Sequence, residues 1–340
     1  MMQPGAYFPA FNHSRDRQRF WLVWGGILIL GILFSVGLLC FRQPVPMDSP
    51  SFYPVIKRRA MAVLTIIVVA FCQSISTIAF QTLSHNRMVT PSLLGFPSLY
   101  IAIHTVLVFF GGVQSLIQMS STVLFIMQLV IMVMVSLLLY QTLLTGKYGS
   151  MDVMLLVGVM LGMGLNSLAT FMRRVLSPSE FDILQARLFA SVNHADGEQL
   201  LLALPFLVLA TWGLFKLSSQ LNALSLGEDT AKNLGINTGQ INRRTLIYIT
   251  ILMAISTALM GPLSFFGFLV ANLCYQWVPS YDHRYLFMMS IVLAFAFLSG
   301  AYFILTHLFH AQGVVSIVIE LVGGIGFLMT FFRSKKGGLA

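Results

Sequence analysis

Apolar runs long enough to cross a lipid bilayer recur along this chain of 340 residues, and the polar stretches that separate them are short. A helical span needs about 20 apolar residues, with shorter pieces tolerated where the backbone is buried in protein. On that rule the pattern predicts spans at 20–41, 60–82, 93–111, 121–143, 153–172, 200–216, 245–260, 263–278, 285–309 and 314–332. The expected fold is therefore all-α, a polytopic membrane protein of about ten transmembrane helices forming one domain over 1–340. In the fifth run, Gly158, Gly162 and Gly164 make a small-residue stripe. Glycines four apart let helix backbones approach closely, which places this span inside the bundle.

Two polar stretches carry a grammar of their own. The longer, LSLGEDTAKNLGINTGQINRR at 224–244, lies within a connecting loop at 217–244 between two strongly apolar blocks. Glu228, Asp229 and Thr230 supply early acids and a capping-type residue, Ala231, Lys232 and Leu234 continue a turn, and Gly235 can end it in a left-handed conformation. A second short turn is expected over 238–242, leading into Arg243-Arg244. Two amphipathic pieces on a membrane face suggest a docking surface; the alternative is a connector that merely returns the chain to the bilayer. The second stretch, 173–199, holds Ser177-Pro178-Ser179-Glu180, a capping signature for a short surface helix.

Composition agrees with the pattern. With 57% hydrophobic and 9% charged residues, the chain has too little polar surface for a soluble globule of its length. A net charge of +9 would point to nucleic acid in a soluble protein, but here the basic residues sit between apolar runs, where membrane orientation accounts for them. With the amino terminus inside, most Lys and Arg fall on the inner side, which favours both termini inside. Lys57-Arg58-Arg59 go against that rule, so either the topology differs there or those charges have a task outside. Cys40, Cys72 and Cys274 show no CxxC spacing, so neither a zinc site nor a disulfide framework is indicated. The run 20–41 is long enough to stay in the bilayer and lacks a small-residue cleavage site after it, so no cleavable signal peptide is expected.

Specific residues then carry a resemblance. Gln81-Thr-Leu-Ser-His-Asn86-Arg-Met-Val-Thr-Pro91-Ser-Leu-Leu-Gly95 resembles the Q-x4-N-P-L-A-x-P-x-L-L-G signature of the FecCD family of ABC importer permeases, which move iron-chelates, haem and cobalamin. Gly158-Val-Met-Leu-Gly162 is similar to the family's fifth-span G-I-A-L pattern, and Phe189-Ala-Ser191-Val to its M-G-S-L segment. Leu226-Gly227-Glu228-Asp-Thr-Ala231-Lys-Asn-Leu234-Gly235 resembles its L-G-E-x-A-x-x-L-G coupling loop. Gly261-Pro262-Leu-Ser-Phe-Phe-Gly267 is similar to its G-P-I-x-F-V-G, and Asp282-His-Arg284 to its D-H-R. The six motifs run in family order over nearly the whole chain.

The resemblance implies a type II importer permease in a bacterial inner membrane, paired with a second permease subunit, with a dimer of separate ATPases below and a periplasmic substrate-binding protein above. Leu226, Gly227, Glu228, Ala231, Leu234 and Gly235 would form the element that seats on the ATPase. Lys57, Arg58 and Arg59 occupy the place where the family's basic residues pair with glutamates of the binding protein, which would account for positive charge on the outer side; the alternative is a helix end meeting anionic headgroups. The implied cargo is an iron(III)-siderophore, with haem or cobalamin as alternatives. No cofactor is expected on this chain. ATP and Mg belong to the partner, consistent with the lack of a GxxxxGK[ST] loop around Gly146-Lys147. The chain departs from the family pattern at Ala271-Asn272-Leu273 and Gln276, at Asn86-Arg87-Met88, and at Gln312-Gly313-Val314-Val315, drift that suits one member of a heterodimeric pair.

Other functions need features that are scarce here. A secondary transporter calls for paired intramembrane ions or broken helices in repeated halves. Only Glu320 lies well inside a predicted span, where a hydrogen-bonded helix contact is the favoured reading. An intramembrane enzyme needs a nucleophile or metal constellation such as HExxH, and no such motif occurs. Of His104, His307 and His310, only the last two share a helical spacing, better suited to an interfacial pair than to a metal. The 19 methionines read as gap-filling or lipid-facing bulk, some suited to a flexible path wall.

Overall fold

A computed structural model of the chain describes residues 11, 13–41, 46, 50, 52–144, 151–192, 195–307, 317–326 and 328. Among these, all regular structure is helical: α1 Ser14–Cys40, α2 Phe52–Leu83, a 3-10 turn Pro91–Leu94, α3 Phe96–Gln118, α4 Ser121–Leu144, α5 Met151–Val175, α6 Pro178–Leu188, α7 Gly197–Lys216, α8 Ser218–Leu224, α9 Glu228–Asn233, α10 Thr238–Met260, α11 Phe266–Trp277 and α12 His283–His307. A further apolar helix, α13, covers Ile317–Gly326. Eight of them, α1 to α5, α7, α10 and α12, are long and apolar enough to cross a membrane. The short α11 matches the expected run 263–278, and α13 is the described part of 314–332.

α2 is the centre. Nearly every residue from Thr65 to Leu83 is buried, packed by α10 on one side and α12 on another, with α7 and α11 completing the shell. Burying so many polar side chains is costly unless each finds a partner. Thr65, Ser76 and Thr77 solve this locally, donating to the carbonyls of Met61, Cys72 and Gln73 four residues back, whereas the Thr82 hydroxyl lies 3.1 Å from the Ile78 carbonyl and 2.7 Å from His283 Nε2 of α12. Links between spans are fewer: Gln73 Nε2 donates to Ser256 Oγ of α10 at 2.9 Å, Thr250 of α10 to Tyr140 of α4 at 3.1 Å, and Gln128 of α4 to His104 of α3 at 3.1 Å.

α1 lies at the edge and grips α12 by aromatic rings set over small residues. Phe295 and Phe303 cover Gly31 and Gly37, and Phe34 covers Gly300. Trp24 Nε1 donates to the Met288 carbonyl at 3.1 Å.

Three boundaries differ from the pattern. α2 starts at Phe52, eight residues before the predicted start at 60, so Lys57, Arg58 and Arg59 sit inside the helix beyond its apolar part. The expected turn at 238–242 is no separate element; it is the first turn of α10, because Asn237 accepts from Gln240 N at 3.1 Å and caps a helix that continues unbroken through Thr245. α3 does not stop at Gly111-Gly112 but breaks at Gly112 (φ 66°, ψ 177°) and goes on to Gln118. Backbone in that region is accessible to glycine and strained for other residues.

Candidate functional site

The polar stretch at 217–244 folds into two short helices at one end of the bundle. α8 follows α7 after Leu217, and α9 begins at Glu228 after a turn through Gly227, whose φ of 112° needs glycine. α9 ends as its composition predicts. Gly235 (φ 79°) donates to the Lys232 carbonyl at 2.9 Å and Ile236 N to the Ala231 carbonyl at 3.1 Å, the paired bonds of a Schellman stop. Glu228 receives the Thr238 hydroxyl at 3.1 Å and lies 3.3 Å from Lys232 Nζ, so the start of α9 is tied to the start of α10. Ala231 is fully buried beneath the turn, whereas Leu226 and Leu234 are 67% and 62% exposed. Two exposed leucines on a capped hairpin form a knob with an apolar tip, which suits a partner surface better than water.

Two clefts flank this knob. One, of about 590 Å³, is lined by Gln81, Arg87, Gly227, Tyr275 and His283 among others; the second, of about 900 Å³, by Asp152, Glu228, Asn237 and Arg243 among others. The Gln81–Gly95 segment shapes the first. Gln81 Nε2 donates to the Arg87 carbonyl at 2.7 Å, Asn86 Oδ1 accepts from Met88 N at 2.8 Å, and the Arg87 guanidinium stacks 4.5 Å from the Tyr275 ring centre. Pro91 then opens the 3-10 turn, and Gly95 (φ 96°) closes it.

Beyond that turn, Gly95 rests on α5. A Cβ on Gly158 would lie 3.2 Å from Leu94 Cα, and one on Gly162 would lie 3.5 Å from Gly95 Cα, so the glycine stripe makes the close approach expected of it. Gly164 faces open space and the rest of α5 is largely exposed, so the helix packs by one face rather than sitting inside the bundle. Its open face carries Met163, Asn166, Ser167, Thr170, Phe171 and Arg174 around a shallow groove of about 560 Å³. Polar side chains in lipid are costly, so this face belongs against protein or water. Its polar members, Asn166, Ser167, Thr170 and Arg174, recur at helical spacing, a signal the sequence itself carries.

At the far end of α10, Gly261 adopts φ 98° and packs so closely that a Cβ would lie 3.0 Å from Ala190 Cα; Met260 O accepts from Ser191 N at 2.7 Å. Pro262 follows in the loop, and Gly267 opens α11 directly against Thr77, where a Cβ would collide with the hydroxyl. α6 lies at this end, its start fixed by the capping box of Ser177 and Glu180. Hydrogen bonds from the Ser177 side chain and backbone hold the Glu180 carboxyl below its ordinary range.

The basic triplet divides. Lys57 and Arg58 are exposed, whereas Arg59 Nη1 faces the carbonyls of Leu38, Leu39 and Phe41 at 3.1, 3.2 and 3.0 Å, closing the open C-terminal end of α1. Glu320 accepts from Ser264 N at 3.3 Å, a contact between α13 and the turn before α11. His104 bonds within α3 and to α4, and His307 donates to the Phe303 carbonyl at 3.2 Å, while His310, Gly146-Lys147 and Gln312-Gly313-Val314-Val315 lie outside the described residues. Among the described residues no group of three or more His, Cys, Asp or Glu could hold a metal ion.

Comparison with known proteins agrees with this architecture. The chain is 51% identical to the petrobactin import system permease protein FatC of Bacillus anthracis, over 96% of this chain and 92% of that one. It is 32% identical to the petrobactin import system permease protein YclO of Bacillus subtilis, over 90% and 98% of the two chains. Among solved structures, an inward-facing metal-chelate type ABC transporter superposes with a TM-score of 0.79 at 22% identity, covering 92% of this chain and 99% of that one, which speaks for the fold. The profile of the FecCD transport family matches residues 27–333, and the chain belongs to that family.

Proposed function

We propose that this chain is one of two permease subunits of an ABC importer that carries an iron(III)-siderophore from periplasm to cytoplasm. The observation that carries the assignment is the capped α8–α9 knob, with Ala231 buried and Leu226 and Leu234 presented outward at the end of a bundle of membrane-spanning helices. Two exposed leucines on a capped turn suit a protein that receives them better than a plain connector, and in an importer that protein is the ATPase, which holds the ATP and Mg. The 51% identity to a petrobactin permease, petrobactin being a siderophore, supports the cargo class over haem or cobalamin.

In this scheme the knob and both termini face the cytoplasm. Closure of the ATPase dimer pushes on α9, and the push enters α10 directly, because the Glu228–Thr238 bond and the short 234–237 link leave little slack. Packed helices then move as rigid bodies and alter the path between the two permeases. The open polar face of α5, with Asn166, Ser167 and Thr170, lines that path. At the periplasmic end, Lys57 and Arg58 are placed to pair with carboxylates on the binding protein, while Arg59 holds the α1–α2 corner beneath them. The departures at Ala271-Asn272-Leu273 and Gln276 favour a non-identical second permease, since residues on a shared path need be kept on one subunit only.

The test is uptake by vesicles holding this chain with its copurified permease and ATPase, supplied with binding protein and ATP. Iron-labelled siderophore should accumulate only with ATP. Accumulation of haem or cobalamin in its place would overturn the cargo, and purification without any ATPase would overturn the class.

A further inference from the structure

The knob has a second connection to the spans, made by side chains rather than by the chain. Asn222, in the middle of α8, faces the start of α12, sixty-one residues along the chain from His283. Its Oδ1 accepts from the His283 backbone N–H at 2.8 Å and from His283 Nδ1 at 2.6 Å, and its Nδ2 donates to Asp282 Oδ1 at 3.1 Å. These bonds fix both the amide orientation and the imidazole tautomer, since an amide oxygen only accepts. With the proton on Nδ1, the other ring nitrogen is left to accept, and Thr82 Oγ1 of α2 lies 2.7 Å from it. Asp282 Oδ1 also accepts from Arg284 N at 3.0 Å, and Arg284 Nε donates back to Ser218 Oγ at the start of α8 at 3.3 Å.

Three helices therefore meet through one imidazole. α8 holds one nitrogen, α2 the other, and α12 carries the ring. Ser218 and His283 are buried, so the bonds operate in a low dielectric where geometry is strictly held and a lost partner is costly. Leu221 and Leu224, both buried, seat the same helix on the bundle. A displacement of α8 cannot be absorbed by slack; it must pull on the start of α12 and on the end of α2, the most buried helix of the fold.

We infer that Asn222 and His283 are positioning residues that form a strut, passing the stroke of the coupling knob into α2 and α12 in parallel with its direct passage into α10. The inference rests on the coupling role proposed above. It gives the cargo path two inputs: α10 is driven through the backbone, whereas α2 and α12 are driven through hydrogen bonds that a single substitution removes.

The experiment uses the assembled importer in vesicles and reads cargo uptake per ATP hydrolysed. Asn222→Ala and Thr82→Val should leave ATP hydrolysis within about 2-fold of the parent while lowering uptake per ATP by about 10-fold or more. Asn222→Asp alone sets two carboxylates against each other and should be as poor. Combined with Asp282→Asn, it keeps the charge and restores the bond with donor and acceptor exchanged after a turn of the amide, and uptake per ATP should recover to at least half. A second readout is independent of cargo: in a chain whose exposed Cys40 is replaced by serine, spin labels at Asp229→Cys and Ile304→Cys should report an ATP-dependent change in distance in the parent that shrinks in Asn222→Ala and returns in the double variant. Unchanged uptake per ATP and unchanged label distances in Asn222→Ala would overturn the strut. So would a parallel fall of hydrolysis and uptake with no recovery in the double variant, which would mark the network as a folding element only. A parent that takes up no siderophore would strike the cargo assignment, and the label distances would still decide the strut.

Discussion

Gly261 is where the backbone leaves least room for change. Its φ of 98° and ψ of −175° lie in a region open essentially to glycine alone, and holding a residue with a Cβ there costs about 1–3 kcal/mol. A Cβ would also stand 3.0 Å from the backbone of Ala190, which cannot rotate away as a side-chain tip can. That overpacking adds about 1–3 kcal/mol, so Gly261→Ala should destabilise the chain by roughly 2–6 kcal/mol in all. The joint also holds the Ser191–Met260 hydrogen bond at 2.7 Å, so the strain falls where the α6–α7 segment meets the end of α10. The control is Gly164→Ala, a helical site with nothing within 4 Å, where alanine should stabilise by about 0.5–1 kcal/mol through its better helix propensity. The assay is thermal aggregation of the detergent-solubilised chain, followed by size-exclusion recovery after heating. Gly261→Ala should lose its monodisperse peak well below the parent, and Gly164→Ala should match or exceed it. If both variants lay within a degree or two of the parent, or if Gly164→Ala were the worse, the backbone reasoning would be refuted.

Arg59→Ala removes the donor from three carbonyls at the end of α1 and should lower stability by about 1–3 kcal/mol in the same assay. Lys57→Glu should instead leave stability unchanged and slow association of the binding protein, measured by surface plasmon resonance on the permease in nanodiscs; the reverse pattern would reject the division of labour in that triplet. Gly235→Val forces a branched residue into the left-handed region at about 1–2 kcal/mol, fraying the Schellman stop, and should reduce the amount of ATPase that copurifies; an undiminished yield would mean the knob does not need its cap. With the exposed Cys40 replaced by serine, Ser167→Cys on the open face of α5 should react with a water-soluble maleimide in the assembled importer, whereas Val208→Cys on the exposed apolar face of α7 should not. Equal reactivity would remove α5 from the wet path.

What could be read from the chain before its structure was what is local. Runs of apolar residues are long here and their ends carry glycine, proline or charge, so spans, the Ser177 cap and the Gly235 stop follow from short-range physics. The glycine stripe of α5 was equally plain, because close approach needs small residues wherever the partner lies. α8 was missed: SSQLNAL begins one residue after α7 ends, and its polar residues mark no apolar face on their own. Asn222 in isolation is an ordinary polar residue of a loop; its meaning depends on Asp282 and His283, which only the fold brings to it. Arg59 shows the same limit, since nothing in Lys57-Arg58-Arg59 distinguishes the one that turns inward to α1. The start of α10 moved because Asn237 caps it ahead of the apolar run, and a polar first turn extending out of a membrane has no hydrophobic signal to betray it.

The hydroxyls of α2 have one more implication. Thr65, Ser76 and Thr77 satisfy themselves on their own helix, so over that stretch neighbouring spans meet α2 across surfaces whose hydroxyls ask little of them. Such surfaces behave as slip planes: one helix can shear past another by an ångström without breaking a bond that must then be rebuilt. The cross-links from α2, Gln73 to Ser256 of α10 and Thr82 to His283 of α12, act as pivots on those planes. A permease whose spans shift to open and close a path benefits from low internal friction, and replacing the hydroxyls by groups that bond across the interface would stiffen it without unfolding it.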